Sequence, residues 1–229
     1  MARVERRSRG WRLALSAPGP SAAAVAIGLM LAGGARRPDA ADPPCRFSGI
    51  DRVVAVGDVH GAYDRFVGIL QTAGLVDARL RWTGGSAHLV QLGDVVDRGP
   101  DSARVLDLLQ RLQKEAPRQG GAVHPLLGNH EVMRMLGDLR YVSAGEYNAF
   151  VTLKSEALRQ KFVRSGEAGP GQSLETIPLG FVELRLAFGR GGVYGAWLRT
   201  LQAVVDIDGV LFLHGGISPI VADLPCEAR

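Results

Sequence analysis

Three short apolar runs follow one another at regular intervals beyond residue 50, the first of them rich in β-branched residues. They are RVVAV (52–56), HLVQL (88–92) and GAVHPLL (121–127). Their length and composition are typical of strands that are buried on both faces. We therefore expect three strands in the interior of a sheet.

Each gap between these runs carries apolar residues at helical spacing. The first gap has Tyr63, Phe66, Val67 and Leu70, and the second has Val105, Leu108, Leu109 and Leu112. Gly74 is placed to end the first helix, and Pro100 is suited to the first turn of the second. Strand and helix alternate with short turns, which predicts a parallel sheet with crossover helices.

The pattern is less regular between residues 138 and 203. Residues 143–163 favour a helix, residues 164–178 a loop, and residues 181–202 a helical or mixed insertion. Alternation returns at VVDIDGVLFL (204–213), where a turn at Asp208-Gly209 between two apolar runs predicts a hairpin. No internal repeat or low-complexity tract interrupts the chain.

Polar motifs follow four of the apolar runs directly. They are GDVHG (57–61), GDVVDRG (93–99), GNHE (128–131) and HGG (214–216). Ligands bind outside the carboxyl ends of strands in open parallel sheets. We therefore expect one rim to gather their polar side chains, namely Asp58, His60, Asp94, Asp97, Arg98, Asn129, His130 and His214.

The ligand types in these motifs indicate a metal site. Alone, each motif is equally compatible with a loop, a turn or a helix cap, but four in succession are hard to obtain by chance. Aspartate, histidine and asparagine suit divalent Mn, Fe, Zn or Co, and the two remote cysteines could not build a thiolate zinc site. The flanking glycines allow close backbone approach to a metal or phosphate.

Together the motifs resemble the phosphoprotein phosphatase branch of the calcineurin-like metallophosphoesterase superfamily. GNHEVMRMLGDLRYVSAGEY (128–147) is similar to the bacterial Shewanella-like phosphatases. The resemblance covers residues 50–222 and implies an α/β fold, a metallophosphoesterase β-sandwich with parallel strands and flanking helices in four layers (α/β/β/α). It implies a domain over residues 45–229.

The resemblance also implies roles for single residues, including two divalent metal ions. Asp58 and His60 would bind the first ion, Asp94 would bridge both, and Asn129 and His214 would bind the second.

The remaining rim residues would act on the substrate. By the same resemblance, His130 would be the general acid, oriented by Asp97, and Arg98 would bind the substrate phosphate. Arg140 is a candidate second phosphate contact or an exposed, ion-paired helix residue. Glu131 is expected to support the turn rather than to act in catalysis.

The implied activity is hydrolysis of a phosphomonoester by direct attack of metal-bridging hydroxide, with no phosphoenzyme. A protein phosphatase acting on phosphotyrosine or phosphoserine/threonine is the first hypothesis, with a phosphorylated protein or small phosphomonoester as partner. The alternatives are a nucleotide or dinucleoside polyphosphate hydrolase and a non-catalytic metal-binding module. His88 and His124, which lie in strands, are expected to be structural.

Charge is concentrated in the N-terminal segment. The formal net charge is +4, yet residues 1–37 hold seven arginines and one acid, which leaves 20 basic and 22 acidic residues elsewhere. The folded part is therefore not expected to bind nucleic acid. Residues 1–40, with an uncharged stretch over 13–35, predict a signal peptide and an exported, periplasmic or secreted protein. The alternative is an uncleaved membrane anchor, which would be the protein's only contact with a membrane. Pro18-Gly19-Pro20 weakens this alternative because it interrupts the helix.

Two features concern the ends of the chain. Cys45 and Cys226 could form a disulfide in an exported protein, or could be two unrelated thiols. The resemblance implies a further histidine ligand, a further arginine and further strands from segments beyond Arg229. We therefore expect the sequence to be a fragment of a longer protein, the alternative being a truncated form with an impaired second metal site.

Overall fold

Six strands and eight α-helices lie within residues 44–169 and 171–222, the part of the chain that the computed structural model describes. The strands are β1 (Arg46–Phe47), β2 (Val53–Val56), β3 (His88–Gln91), β4 (Ala122–Pro125), β5 (Val204–Ile207) and β6 (Val210–Leu213). The helices are α1 (Tyr63–Thr72), α2 (Ser102–Glu115), α3 (Asn129–Leu136), α4 (Ala144–Ala149), α5 (Ser155–Arg164), α6 (Phe181–Phe188), α7 (Val193–Leu198) and α8 (Pro219–Ala222). A 3₁₀ turn over Ala116–Gln119 follows α2.

The three predicted strands form one parallel sheet in the order β2-β3-β4. In its register Val53 pairs with His88, and His88 pairs with Ala122. Successive residues of β3 face opposite sides: Leu89 packs in the cluster that contains α1 and α2, and Val90 packs in the cluster that contains the second sheet. The predicted parallel sheet with crossover helices is confirmed.

The two crossover helices bury the apolar faces that their spacing predicts. Phe66 and Leu70 of α1 are buried, as are Val105 and Leu109 of α2. Each such side chain contributes about 1.5–3 kcal/mol by leaving water. The first helix ends where Gly74 takes φ +66°, a left-handed conformation that glycine adopts without strain. The second begins at Ser102, so Pro100 precedes the helix instead of starting it.

The second sheet has the order β1-β5-β6. The hairpin between β5 and β6 is confirmed, with Asp208 at φ 52° and Gly209 at φ 82°, the two left-handed residues of a type I′ turn. Asp208 also accepts hydrogen bonds from the backbone N–H groups of Gly49 (2.6 Å) and Ile50 (2.9 Å), which lower the pKa of its carboxyl. The turn is thereby tied to the segment after β1, which pairs in parallel with β5.

The apolar side chains of the two sheets meet in a common layer. Val90 and Leu126 from the first sheet pack with Val205 and Ile207 from the second. The described residues therefore form an α/β fold with parallel strand pairing and flanking helices, as predicted.

One predicted helix is interrupted. Residues 143–163 form two helices, α4 and α5, instead of one. Between them the backbone N–H of Thr152 donates to Ser155 Oγ (2.8 Å), and Ser155 Oγ donates to Glu183 of α6. A side-chain bond to the backbone competes with the helix and starts a new one at Ser155. The prediction of a continuous helix was wrong because this contact to α6 is not local.

The predictions for the two ends of the chain concern residues outside the described part of the structure. Residues 1–40 and Cys226 lie outside the described residues, so the signal peptide, the alternative anchor and the disulfide stay predictions. Cys45 itself is buried. Within the described residues, every helix is too short or too polar to cross a bilayer.

Candidate metal centre

Three histidines surround the carboxylate of Asp94, which follows β3 at the carboxyl edge of the first sheet. Asp94 Oδ2 lies 3.7 Å from His60 Nε2, 3.8 Å from His130 Nε2 and 3.4 Å from His214 Nε2. The carboxylate is almost fully buried. The strand ends therefore converge on a single oxygen, and the side chains come from segments up to 154 residues apart in numbering.

Asp58 and Asn129 also belong to this group. Asp58 Oδ2 lies 3.7 Å from His60 Nε2, and Asp58 Oδ1 lies 4.0 Å from His214 Nδ1. Asn129 Oδ1 lies 3.1 Å from His214 Nε2. Two compact sets of donor atoms result, one with His60, Asp94 and His130 and one with Asp58, Asp94 and His214. Asp94 belongs to both sets.

Hydrogen bonds to backbone carbonyls orient two of the imidazoles. His60 Nδ1 donates to Val96 O at 2.8 Å, and His214 Nδ1 donates to Leu92 O at 3.0 Å. Because each Nδ1 carries the proton, the neutral ring presents the lone pair of Nε2 to the centre. Metal-binding histidines are oriented by second hydrogen bonds of this kind.

The remaining lone pairs fit a cation. His214 Nε2 faces Asn129 Oδ1 and Asp94 Oδ2, so three acceptors point at one another with no proton to share. His60 Nε2 is buried without a hydrogen-bond partner among the described residues. Such an arrangement is costly unless a positive charge lies between the acceptors. The donor set therefore suits divalent metal ions.

A buried ion-pair network holds the remaining histidine. His130 Nδ1 lies 2.7 Å from Asp97 Oδ2, and Asp97 Oδ1 accepts a hydrogen bond from Arg134. Arg134 also donates to Glu146 Oε1 at 2.9 Å. The sequence predicted the His130–Asp97 pair but missed Arg134 and Glu146. Two signals pointed to them: Arg134 follows His130 by four residues on one helical face, and SAGE (143–146) has the spacing of a capping box.

The two arginines predicted to bind phosphate differ in their surroundings. Arg98 is exposed, and its Nη2 lies 3.5 Å from His130 Nε2, so its guanidinium borders the rim. Arg140 is also exposed and forms an ion pair with Asp138, with Nη2 and Oδ2 2.6 Å apart. Its role as a phosphate contact stays a prediction.

Left-handed backbone is concentrated at the rim. Four residues other than glycine have positive φ there: His60 (46°), Asp94 (56°), Asp97 (73°) and Arg98 (67°). Each such residue costs of order 1 kcal/mol or more and persists only where neighbouring groups fix it. Close packing is part of that restraint, because a Cβ on Gly99 would lie 2.3 Å from His60 O.

Glu131 fixes the turn that carries Asp94. Its carboxylate accepts hydrogen bonds from the backbone N–H groups of Asp94 (2.8 Å), Val95 (2.8 Å) and Gly128 (2.9 Å). Burial raises the pKa of Glu131, while these N–H groups act against that rise by favouring the carboxylate. Its contacts are with backbone, which agrees with the interpretation that it supports the turn.

His88 and His124 form a separate pair within the strands. His124 Nε2 and His88 Nδ1 are 3.1 Å apart, and the Phe47 ring of β1 packs on both imidazoles. Burial lowers the pKa of His88 and lowers that of His124 to about 4. Both rings are therefore neutral at neutral pH, as structural residues would be.

Comparisons with known proteins identify one family. The family model for calcineurin-like phosphoesterases matches residues 51–226. The chain is 35% identical to Shewanella-like protein phosphatase 2 of Arabidopsis thaliana over 187 residues, 75% of this chain and 48% of the relative. It is 28% identical to Shewanella-like protein phosphatase 1 of Plasmodium berghei over 173 residues, 76% of this chain and 41% of the relative.

A solved structure has the same fold. The cold-active protein-tyrosine phosphatase of a psychrophilic Shewanella species is 33% identical, with a TM-score of 0.60, over 81% of this chain and 49% of that one. Fold and site together define a metallophosphoesterase. The chain belongs to the calcineurin-like phosphoesterase family, and it spans about half the length of the relatives it matches.

Proposed function

We propose that the protein is a metal-dependent phosphomonoesterase that removes phosphate from phosphotyrosine or phosphoserine/threonine in proteins, or from small phosphomonoesters. The observation that carries the proposal is the position of Asp94 Oδ2, within 4 Å of three imidazole nitrogens beside an exposed arginine. The protein phosphatases among the relatives support the substrate class.

Two divalent cations, of Mn, Fe, Zn or Co, are proposed to bind at this rim. Their ligands would be Asp58, His60, Asp94, Asn129 and His214, with Asp94 shared between the two. Paired cations of this type neutralise the charge of a phosphate dianion and lower the pKa of water.

The remaining groups are proposed to bind the substrate and to move a proton. Arg98 presents five N–H donors in a planar fork that matches phosphate oxygens. His130, as a cation, would donate its Nε2 proton to the departing alkoxide or phenoxide oxygen, and Asp97 would hold the ring in the orientation that this transfer requires. No phosphoenzyme is expected, because the attacking oxygen comes from water.

Metal dependence is the first test. Exhaustive chelation of the complete protein should abolish hydrolysis of an aryl phosphate, and adding Mn²⁺ should restore it. Asp58→Asn should lower both bound metal and turnover, whereas Asp206→Asn, in an ion pair with Arg46 on the second sheet, should change neither. Undiminished activity after chelation, or normal metal content and rate in Asp58→Asn, would contradict the proposal.

Substrate choice is the second test. The rates of hydrolysis of phosphotyrosine peptide, phosphoserine peptide and diadenosine tetraphosphate should favour one of the two peptides. Preference for the dinucleotide would establish the alternative nucleotide hydrolase. Bound metal without turnover of any of the three substrates would establish a non-catalytic module.

We also propose that the protein is exported. The support is the arginine-rich segment followed by the uncharged residues 13–35. Fractionation of cells that express the complete protein should place it outside the cytoplasm, and sequencing of the mature N-terminus should reveal cleavage near residue 40. An intact N-terminus in the membrane fraction would favour the anchor instead.

A further inference from the structure

Beneath the rim lies a charge cluster whose members are almost wholly inaccessible to water. The side chains of Arg134, Asp97 and Glu146 have exposures of 0%, 1% and 1%. Buried ion pairs are often no more stabilising than apolar residues of similar volume. Stability alone is therefore a weak explanation for three charges in this position, and their contacts suggest a different one.

The carboxylate of Asp97 is held at both oxygens. Oδ2 accepts from His130 Nδ1 at 2.7 Å, and Oδ1 accepts from Arg134. With both oxygens engaged, the carboxylate cannot rotate about its Cβ–Cγ bond without losing a charged partner. The imidazole is therefore fixed with Nε2 toward the rim, 3.5 Å from Arg98 Nη2.

Glu146 holds the backbone of the same residue. Its Oε1 accepts from the N–H of Asp97 at 3.3 Å and from Arg134 at 2.9 Å, and its Oε2 accepts from the N–H of Ser143 at 3.3 Å. Asp97 has φ 73°, so its conformation needs outside support. The capping carboxylate of α4 thus braces the left-handed turn that carries Asp97 and Arg98.

Arg134 acts through one nitrogen. Nη2 makes both ion pairs, while Nε and Nη1 are buried without a hydrogen-bond partner among the described residues. Its guanidinium carbon lies 4.8 Å from the centre of the Phe188 ring, which fills the space behind it. A single ammonium could replace Nη2, so lysine should preserve part of the arrangement and an apolar residue should not.

We propose that Arg134 and Glu146 are positioning residues for proton donation by His130, acting through Asp97. The inference rests on the proposed phosphatase activity. In that step the water oxygen bonds to phosphorus as the bond to the leaving oxygen breaks. The electron pair stays on the leaving oxygen, which takes the Nε2 proton of the imidazolium. The water proton passes to solvent, and the neutral imidazole takes up a proton from solvent before the next turnover. Misplacing the imidazole should slow turnover most where the leaving oxygen is most basic.

A series of aryl phosphates tests this directly. Phenol, with a pKa of about 10 like tyrosine, needs the proton, whereas p-nitrophenol departs without much help. Arg134→Met and Glu146→Gln should lower kcat on phenyl phosphate by about 10²-fold, the lower end of general-acid contributions, with KM unchanged and a much smaller loss on p-nitrophenyl phosphate. On phenyl phosphate, kcat of Arg134→Lys should be at least tenfold higher than kcat of Arg134→Met.

Two controls separate positioning from simple destabilisation. Val105→Ala in the buried face of α2 weakens the core without touching the network and should leave the ratio of the two rates unchanged. In metal-free protein, the His130 Nδ1 proton should give a protected imidazole signal by NMR, identified by its loss in His130→Gln. The signal should exchange faster in Arg134→Met and in Glu146→Gln.

The outcomes are distinct. The positioning role would be overturned, even in an active enzyme, if the variants lost kcat equally on both aryl phosphates. It would also be overturned if the imidazole proton were as protected in the variants as in the parent. If the parent protein with metal hydrolyses neither aryl phosphate, the proposed function itself fails, and the positioning role fails with it.

Discussion

Two groups of histidines, one at the rim and one within the strands of the first sheet, behave differently. At the carboxyl edge, His60, His130 and His214 each bind a fixed acceptor through Nδ1 and turn Nε2 toward Asp94. Within the strands, His88 and His124 bind each other.

The two groups differ in what the second ring nitrogen of each histidine contacts. In the strand pair the two nitrogens satisfy one another under the Phe47 ring, so burial simply favours the neutral form. At the edge, His60 Nε2 and His214 Nε2 meet a carboxylate oxygen of Asp94 that is paired with no lysine or arginine of the described residues. Histidines of both groups are buried or half-buried. The unmet lone pairs of His60 and His214, and not burial, therefore distinguish a site for a cation from a structural contact.

The largest expected effect is at the centre of the edge group. Asp94→Asn removes the charge that both donor sets share, so the amount of bound metal should fall. The loss in kcat should exceed the roughly 10²-fold that is typical when a residue that hydrogen-bonds to a metal ligand is replaced. Metal analysis and steady-state kinetics check this. Full metal occupancy in the variant would show that Asp94 is not the shared ligand.

The next effect concerns Glu131, the buried carboxylate that binds backbone. Glu131→Gln places a donor against N–H groups that need an acceptor and should cost about 1–3 kcal/mol in the free energy of unfolding. Chemical denaturation of metal-free protein measures this loss apart from catalysis. An unchanged unfolding midpoint would mean that these hydrogen bonds add nothing to stability.

The strand pair should affect the pH dependence of stability. Since burial lowers the pKa of His124 to about 4, its contribution is complete above the unfolded value near 6.5 and is lost as the pH falls toward about 4. His124→Gln keeps a hydrogen-bond donor for His88. It should reduce the loss in the free energy of unfolding over this pH range by about 1–2 kcal/mol, after allowance for solvent screening. Thermal unfolding of the parent and the variant between pH 7 and pH 4.5 gives the slope of stability against pH for each. Equal slopes would contradict a contribution of His124 to the pH dependence.

The smallest effect is expected at Arg140. Because its guanidinium is exposed and already paired with Asp138, Arg140→Ala should raise KM for phosphopeptide by no more than about threefold, within the range of exposed ion pairs. Arg98→Ala should raise it by tenfold or more, as loss of a charged hydrogen bond does. Equal increases in KM for the two variants would show that Arg140 binds the phosphate as strongly as Arg98 does.

Local pattern predicted the parts of the fold in which neighbours along the chain decide the structure. The runs at 52–56, 88–92 and 121–127 became β2, β3 and β4, and the turn at Asp208-Gly209 closes its hairpin. The grouping of polar residues after these strands followed from topology alone, because parallel strands bring their carboxyl ends together.

What the sequence did not predict depends on distant contacts. Strand β1 has two residues and exists only through its pairing with β5. Arg134 and Glu146 look like ordinary surface charges until the turn at Asp97 packs against both. The break between α4 and α5 likewise follows from the contact of Ser155 with Glu183.

The pairing of Arg46 with Asp206 spans 160 positions. The second sheet therefore cannot close until most of the described chain has left the ribosome, whereas the strands of the first sheet can pair much earlier. His214 follows β6 in that late sheet, so the proposed metal site can be completed only after the second sheet has formed.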